Sequence, residues 1–264
     1  MMSARQRVAG VFGLAVGLFA CALPVRAQTS ASGADDDRWH FAVAPYFWTA
    51  GISGTVSFKG IPEQPVDASF SDILENFDIG VASRFEGRKG RWGFATDFLY
   101  MNLGAKVPVG DVLGRLEPEV DVRQLVAEGD AFYRAYRGRQ TEGVPGFVDV
   151  LVGIRYNGMS GQLKGPAFEG TKRTFDWADG VVGVRFLAPL GRKVTLAGRG
   201  DIAGFGSKLT WQLQGELAYH LSARLALLGG YRYYDVDYDK GSGLDRKLYK
   251  MATRGPVVAF VYGW

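Results

Sequence analysis

The sequence predicts an all-β fold, a transmembrane antiparallel up-and-down β-barrel of about ten strands, with eight or twelve as the alternatives. Three observations point to it. Apolar and polar residues alternate with a period of two along ten segments, the links between segments alternate between long and short, and aromatic residues gather at both segment ends. A strand that crosses a bilayer needs ~9–11 residues, with one face to lipid and the other to the lumen. A mean hydropathy near zero and 37 glycines suit such a chain.

Ahead of the first segment, Arg5 and Arg7 precede an uncharged apolar run over residues 8–20. Pro24 breaks the run, and Val25-Arg26-Ala27 ends in small residues. This is the pattern of a cleavable secretory signal over residues 1–27. The run is shorter than the ~20 residues of a membrane-spanning helix. Cleavage before Cys21 is the rival reading and would place a lipid on Cys21. Cleavage after Ala27 removes the single cysteine, so no disulfide is expected. It also removes Arg5, Arg7 and Arg26, which turns 31 basic against 27 acidic residues into 28 against 27. That balance asks for no nucleic-acid partner. Residues 28–38 read as a short N-terminal segment and residues 39–264 as the barrel.

The segments follow in order. Trp39, Phe41, Val43, Pro45 and Phe47 alternate with His40, Ala42, Ala44, Tyr46 and Trp48. Phe77, Ile79, Val81, Ser83 and Phe85 alternate with a face that carries Arg84 and Glu86. Trp92, Phe94, Thr96, Phe98 and Tyr100 oppose a face with Asp97. Leu125, Ala127, Gly129, Ala131 and Tyr133 oppose Glu128, Asp130 and Arg134. Val148, Val150, Val152, Ile154 and Tyr156 oppose Asp149 and Arg155. Val182, Val184 and Phe186 oppose Asp179 and Arg185. Val194, Leu196, Gly198, Gly200 and Ile202 oppose Arg199 and Asp201. Trp211, Leu213, Gly215, Leu217 and Tyr219 oppose Gln212, Gln214, Glu216 and His220. Leu225, Leu227, Gly229, Tyr231 and Tyr233 oppose Arg232 and Tyr234. Pro256, Val258, Phe260, Tyr262 and Trp264 close the chain.

Long links fall at residues 50–76, 104–119, 158–176 and 237–246, and short ones at 87–90, 190–193 and 222–224. The link at 204–208 is short for its class, and 138–146 is long for a turn. Short inner turns and long outer loops are the bacterial barrel pattern. With both termini on the inner side, Trp39, Trp92, Tyr219 and Trp264 fall at one rim and Tyr100, Tyr156, Trp211 and Tyr233 at the other, as two aromatic girdles would. A soluble β-sandwich or lipocalin-like barrel also alternates, but it turns its apolar face inward.

The polar face carries six arginines and eight acids: Arg84, Glu86, Asp97, Glu128, Asp130, Arg134, Asp149, Arg155, Asp179, Arg185, Arg199, Asp201, Glu216 and Arg232. Buried charges need partners, and a lumen of this width is nearly filled by side chains. The expectation is a lumen packed with ion pairs; a thin, charge-lined water path is the alternative.

The terminal stretch Gly255-Pro-Val-Val-Ala-Phe-Val-Tyr-Gly-Trp264 resembles the last strand of bacterial outer-membrane proteins. Ala44-Pro-Tyr-Phe-Trp48 and Gly230-Tyr-Arg-Tyr-Tyr-Asp-Val-Asp-Tyr238 are similar to segments of small porin-like barrels of the OmpA and opacity-protein kind. The resemblance implies a Gram-negative outer-membrane barrel, and makes Val258, Phe260, Tyr262 and Trp264 a C-terminal signal for the barrel-assembly machinery. It implies outer-membrane lipid and lipopolysaccharide as surroundings, a monomer, and a structural or narrow porin-like role.

Catalysis is the second class considered. Barrel enzymes generally use a histidine as base or activator. The two histidines, His40 and His220, fall at the inner rim, so no enzyme, metal site or cofactor is expected. Arg199-Gly200-Asp201 spells an adhesive tripeptide but lies mid-strand. A loop adhesin is the third class. In the first long link, Ile73, Leu74 and Phe77 have helix-like spacing, which suits a short amphipathic turn at the mouth or on the rim.

Overall fold

A computed structural model describes residues 37–58, 61–75, 77–106, 119–138, 144–164 and 172–264. The expected signal over residues 1–27, Cys21 and most of the 28–38 segment lie outside the described residues. In chain order the elements are β1 (Trp39–Trp48), β2 (Gly51–Phe58), β3 (Ile61–Ala68), α1 (Phe70–Glu75), β4 (Phe77–Lys89), β5 (Trp92–Lys106) and β6 (Glu119–Arg137). They continue with β7 (Phe147–Lys164), β8 (Lys172–Pro189), β9 (Val194–Gly204), β10 (Leu209–His220), β11 (Leu225–Lys240) and β12 (Lys247–Gly263).

Ten of these strands make the wall. β1 pairs with β4, each later strand pairs antiparallel with the next, and β12 returns to β1 through Ala42↔Gly263 and Phe47↔Val258. Closure gives every wall strand a hydrogen-bonded neighbour on both sides over at least part of its length, as hydrocarbon demands because it offers no hydrogen bonds. All ten predicted segments are wall strands, and most run longer than the alternation alone suggested. The link over 50–76 is more than a loop. It holds the hairpin β2–β3 and the helix α1, and β2 pairs with the far half of β12, from Arg254↔Gly51 to Lys247↔Phe58. Its few apolar residues are interrupted by glycine, and Pro62 and Pro65 break β3, so the local alternation is weak.

The faces divide as the alternation requires. Leu213, Leu217, Val152, Ile154, Val184 and Phe260 are exposed on the outside, while Glu128, Asp149, Arg155, Asp201 and Arg232 are buried inside. Strand geometry puts successive side chains on opposite faces, so this one choice of parity sets the whole wall. Two features let the sheet turn tightly. Gly90, at φ 59°, makes the two-residue turn between β4 and β5. Gly183 faces the lumen where β8 and β9 approach; a Cβ there would lie 2.7 Å from the Gly200 carbonyl oxygen. Inward glycines allow such bends.

The parity of hydrophobicity inverts toward the far end of the barrel, away from the termini. On β11 the outward residues are Leu227, Tyr231 and Tyr233, then Asp235 and Asp237; the inward ones change from Arg232 to Tyr234, Val236 and Tyr238. On β12 the outward face runs from Phe260 and Val258 to Arg254 and Lys250, and the inward face ends in Met251 and Tyr249. Lipid-facing strands are apolar outside, whereas strands in water are apolar inside. The switch beside Tyr233 therefore marks where the wall leaves an apolar surrounding for an aqueous one.

At the far end, Ser69 caps α1: its backbone N–H and hydroxyl donate to Asp72 Oδ2 at 2.8 and 2.6 Å. These bonds hold the Asp72 carboxyl below its ordinary range. A depressed carboxylate pKa adds stability above its unfolded value of ~3.9 and loses it as the pH falls further. The protection of α1 amides, taken relative to the intrinsic exchange rate at each pH, is expected to stay constant from pH 7 to 5 and to fall only below about pH 4.

Candidate functional site

The lumen is where the charge lies. All fourteen expected lumen charges point into it, on eight strands of the wall. Arg84 donates to Asp97 at 3.3 Å and to Glu216 at 2.9 Å. Arg134 grips Asp149 with two nitrogens, at 2.8 and 3.1 Å. Arg185 spans from Asp149 at 3.0 Å to both oxygens of Glu86. Arg155 bonds Glu128 and, at 2.7 Å, Asp201. Arg199 bonds Glu128, Asp130 at 3.0 Å and Asp201 at 2.7 Å. Arg232 reaches Asp97 at 3.2 Å, with Gln212 and the Tyr46 hydroxyl as further acceptors.

Aromatic rings flank these forks. The Arg134 and Arg185 guanidinium carbons stand 3.8 and 3.9 Å from the ring centroids of Phe147 and Phe132, and Arg232 stands 4.9 Å from that of Trp48. A planar guanidinium can bond carboxylates along its edge and stack a ring on its face. That combination suits it to fill a lumen crowded by both.

Asp179 differs. Among the described residues its partners are neutral donors: the Trp177 indole, the hydroxyls of Ser207 and Thr210, and the backbone N–H groups of Gly206 and Ser207 at 2.9 and 2.6 Å. This explains the unusually short link at 204–208. The link folds inward onto one buried carboxylate, which leaves Phe205 exposed with φ 89°. Asp179→Ala is expected to cost ~1–3 kcal/mol, the penalty of orphaned buried donors. The check is faster amide exchange at Gly206 and Ser207 with a lower unfolding midpoint; unchanged exchange would assign the turn's shape to its own backbone.

Apart from Asp179, which is bonded to Trp177 of the far layer, the charges lie between two other layers. Toward the far end the lumen is packed by Trp177, Tyr234, Val236, Tyr238, Tyr249 and Met251, with Trp177 stacked on Tyr238 at 4.6 Å between centroids. Toward the termini a cavity of about 280 Å³ is walled by alanines such as Ala42, Ala44, Ala95 and Ala197, with Arg84, Asp97, Arg199 and Glu216 on its polar side. The sequence reading missed the aromatic layer, because it ended β11 at Tyr234 and began β12 at Pro256. The signal was present: Tyr234, Val236 and Tyr238 continue the inward parity beyond the belt.

His40 and His220 lie at the terminal end on strands that are not neighbours; His220 Nε2 sits 3.1 Å from Thr195 Oγ1. Arg199 and Asp201 of the adhesive tripeptide belong to the lumen network. Trp39, Trp92, Tyr219 and Trp264 line one rim outside, and Tyr100, Tyr156, Trp211 and Tyr233 mark the other, with Trp211 stacked on Tyr233 at 4.8 Å. Val258, Phe260 and Tyr262 on β12, and Trp264 just past its end, lie outside at the closing seam. There Trp264 exchanges backbone hydrogen bonds with Phe41 at 2.9 and 3.0 Å, and its ring lies 5.8 Å from that of Phe41.

A scan against protein-family models finds no match, and a comparison with curated protein sequences finds none either. Among solved structures, the chain is similar to the translocator domain of autotransporter NalP from Neisseria meningitidis, at 15% identity and TM-score 0.41, covering 88% of this chain and 89% of that one. It is also similar to Ail, the attachment invasion locus protein of Yersinia pestis, at 11% identity and TM-score 0.38, covering 86% and 98%. A Pseudomonas aeruginosa FadL homologue matches at 8% identity and TM-score 0.38, covering 87% and 90%. The architecture rests on the chain's own closed ladder: it is an antiparallel ten-strand barrel of the transmembrane kind, apolar outside and charged within.

Proposed function

We propose that this chain is an outer-membrane barrel whose lumen is held shut, serving as a structural element of the membrane rather than as an open pore. The observation that supports this reading most is the layered lumen, where six arginines are paired with carboxylates beneath an aromatic plug. The apolar belt between two girdles supports insertion in a bilayer, with both termini in the periplasm and the far end outside. In this reading outer-membrane lipid and lipopolysaccharide surround a monomer, and Val258, Phe260, Tyr262 and Trp264 present the last strand to the assembly machinery. A signal over residues 1–27 would export the chain.

The 280 Å³ cavity favours a second reading, a narrow channel whose roof rearranges. Planar-bilayer recording separates the two. The refolded mature chain is expected to be silent. Arg232→Ala removes a partner of Asp97 and the group packed on Trp48, so it should lower the thermal midpoint and bring on discrete current steps. Steps from the unaltered protein would overturn the shut lumen and support a charge-lined channel. Catalysis and adhesion have less behind them: the histidines lie at the terminal end, and residues 107–118 and 165–171 of the long outer links lie outside the described residues.

A further inference from the structure

Among the described residues, wall strands run past a shared ladder in more than one place; β8, for one, pairs with β7 alone over residues 172–179. The β1–β4 ladder runs from Trp39↔Lys89 to Pro45↔Ser83 and ends there. Beyond it, Tyr46, Phe47 and Trp48 pair with β12 alone, and Gly80, Val81 and Ala82 with β5 alone. Pro45 has no N–H to extend a ladder. Neither edge is covered by the hairpin, since β2 and β3 pair with β12 and with each other.

A cavity of about 70 Å³ lies in this seam. Its lining draws on both faces of the wall: Phe47 and Val81 point outward, while Trp48, Ala82 and Leu99 point inward. Residues from both faces of the same two strands thus border one cavity. The lining is mainly apolar, with Gln124 and Thr253 among its polar members. Across it lies α1: Ile73 is buried against the cavity, and the Phe70 ring meets Phe47 edge-on at 6.2 Å.

The outer lip is continuous with the lipid-facing belt. Phe47 and Val81 are about half exposed; Val81 pairs directly with the girdle residue Tyr100, and Phe47 pairs with Val258, on the belt side of the parity switch. The medium against that surface is outer-leaflet hydrocarbon. Unpaired strand edges are tolerated at membrane depth only where they line a cavity or are covered by protein. We propose that the β1–β4 seam is a lateral port that admits the acyl chain of an outer-leaflet lipid into the wall, with α1 as its latch. This rests on the membrane reading above.

The test uses tryptophan emission in vesicles whose phosphatidylcholine carries brominated acyl chains. Variants of the full barrel retain one tryptophan each, at Trp48, Trp177 or Trp211, with the other five replaced by phenylalanine. Trp211 faces the belt and should be quenched strongly, and Trp177, inside the plug, weakly. The port requires Trp48, although inward-facing, to be quenched at least threefold more than Trp177. Adding Ala82→Phe should fill the seam and return Trp48 to the level of Trp177. Trp48 no more quenched than Trp177, with Trp211 quenched, would mean a closed wall and overturn the port alone. An unquenched Trp211 would overturn membrane insertion, and the port with it. If the tryptophan variants do not fold, cysteine labelling decides on a barrel with its native tryptophans. A maleimide carried on an acyl chain should label Ala82→Cys and leave the lumen variant Ala226→Cys unlabelled; equal, low labelling of both would overturn the port.

Discussion

Replacing Arg155 with alanine is expected to destabilise the barrel by about 3–5 kcal/mol, the cost of breaking a buried ion pair by removing one partner. Arg155 has no exposed surface, and its fork joins Glu128 to Asp201 across the lumen. Its guanidinium carbon also lies 5.3 Å from the Tyr234 centroid, so the middle layer is tied there to the aromatic plug. Alanine leaves two carboxylates with less compensation and a void between the layers. Arg199 bonds the same two acids. The pair should therefore be coupled, and the double variant should deviate from additivity by more than 0.5 kcal/mol, as residues of one network do. Urea unfolding in detergent, with the heat-dependent gel shift as a fold check, measures both. Lys208→Ala, which loses an exposed partner of Asp239, is the control and should change stability by ~1 kcal/mol or less. A loss below 1 kcal/mol for Arg155→Ala would mean that water solvates Glu128 and Asp201, and would move the reading toward a wet channel.

The second large effect tests the belt. Leu217 is 52% exposed on the outer face of β10, between Leu196 of β9 and Gly229 of β11. Leu217→Arg is expected to cost ~2–4 kcal/mol on folding into vesicles, the range for a cation on the lipid face near the midplane. Ala252→Arg is the matched comparison. Ala252 shares the outward parity of β12 but lies past the switch, next to Asp235 in the ladder. There an arginine should cost ~0–1 kcal/mol. Urea titration of vesicle-inserted protein gives both numbers. Equal costs would show that the two positions see the same medium, and the membrane reading would fail.

The ten wall strands were legible because a period of two is a local property. Trp211 to His220 reads as one strand with two chemistries from its own residues, and neighbours only confirm it. The girdles and the lumen charges follow from the same parity. The hairpin β2–β3 was not legible: Gly51, Gly54, Pro62 and Pro65 weaken its alternation, and it is held by pairing with β12, some 190 residues away in sequence. Tyr238 and Tyr249 were invisible as a plug for a related reason. Inward aromatics beyond the belt have no meaning until the strands are known to continue into water.

Alternation and link lengths, both local, thus suffice for the class of fold, the face that meets lipid and the charged residues of the opposite face. Non-local pairing settles the rest. Which arginine meets which acid, where Asp179 finds its five donors, and why the wall parts beyond Pro45 depend on the register of strands brought together by closure. A ladder shifted by two residues would keep every parity in the sequence and change each of those contacts.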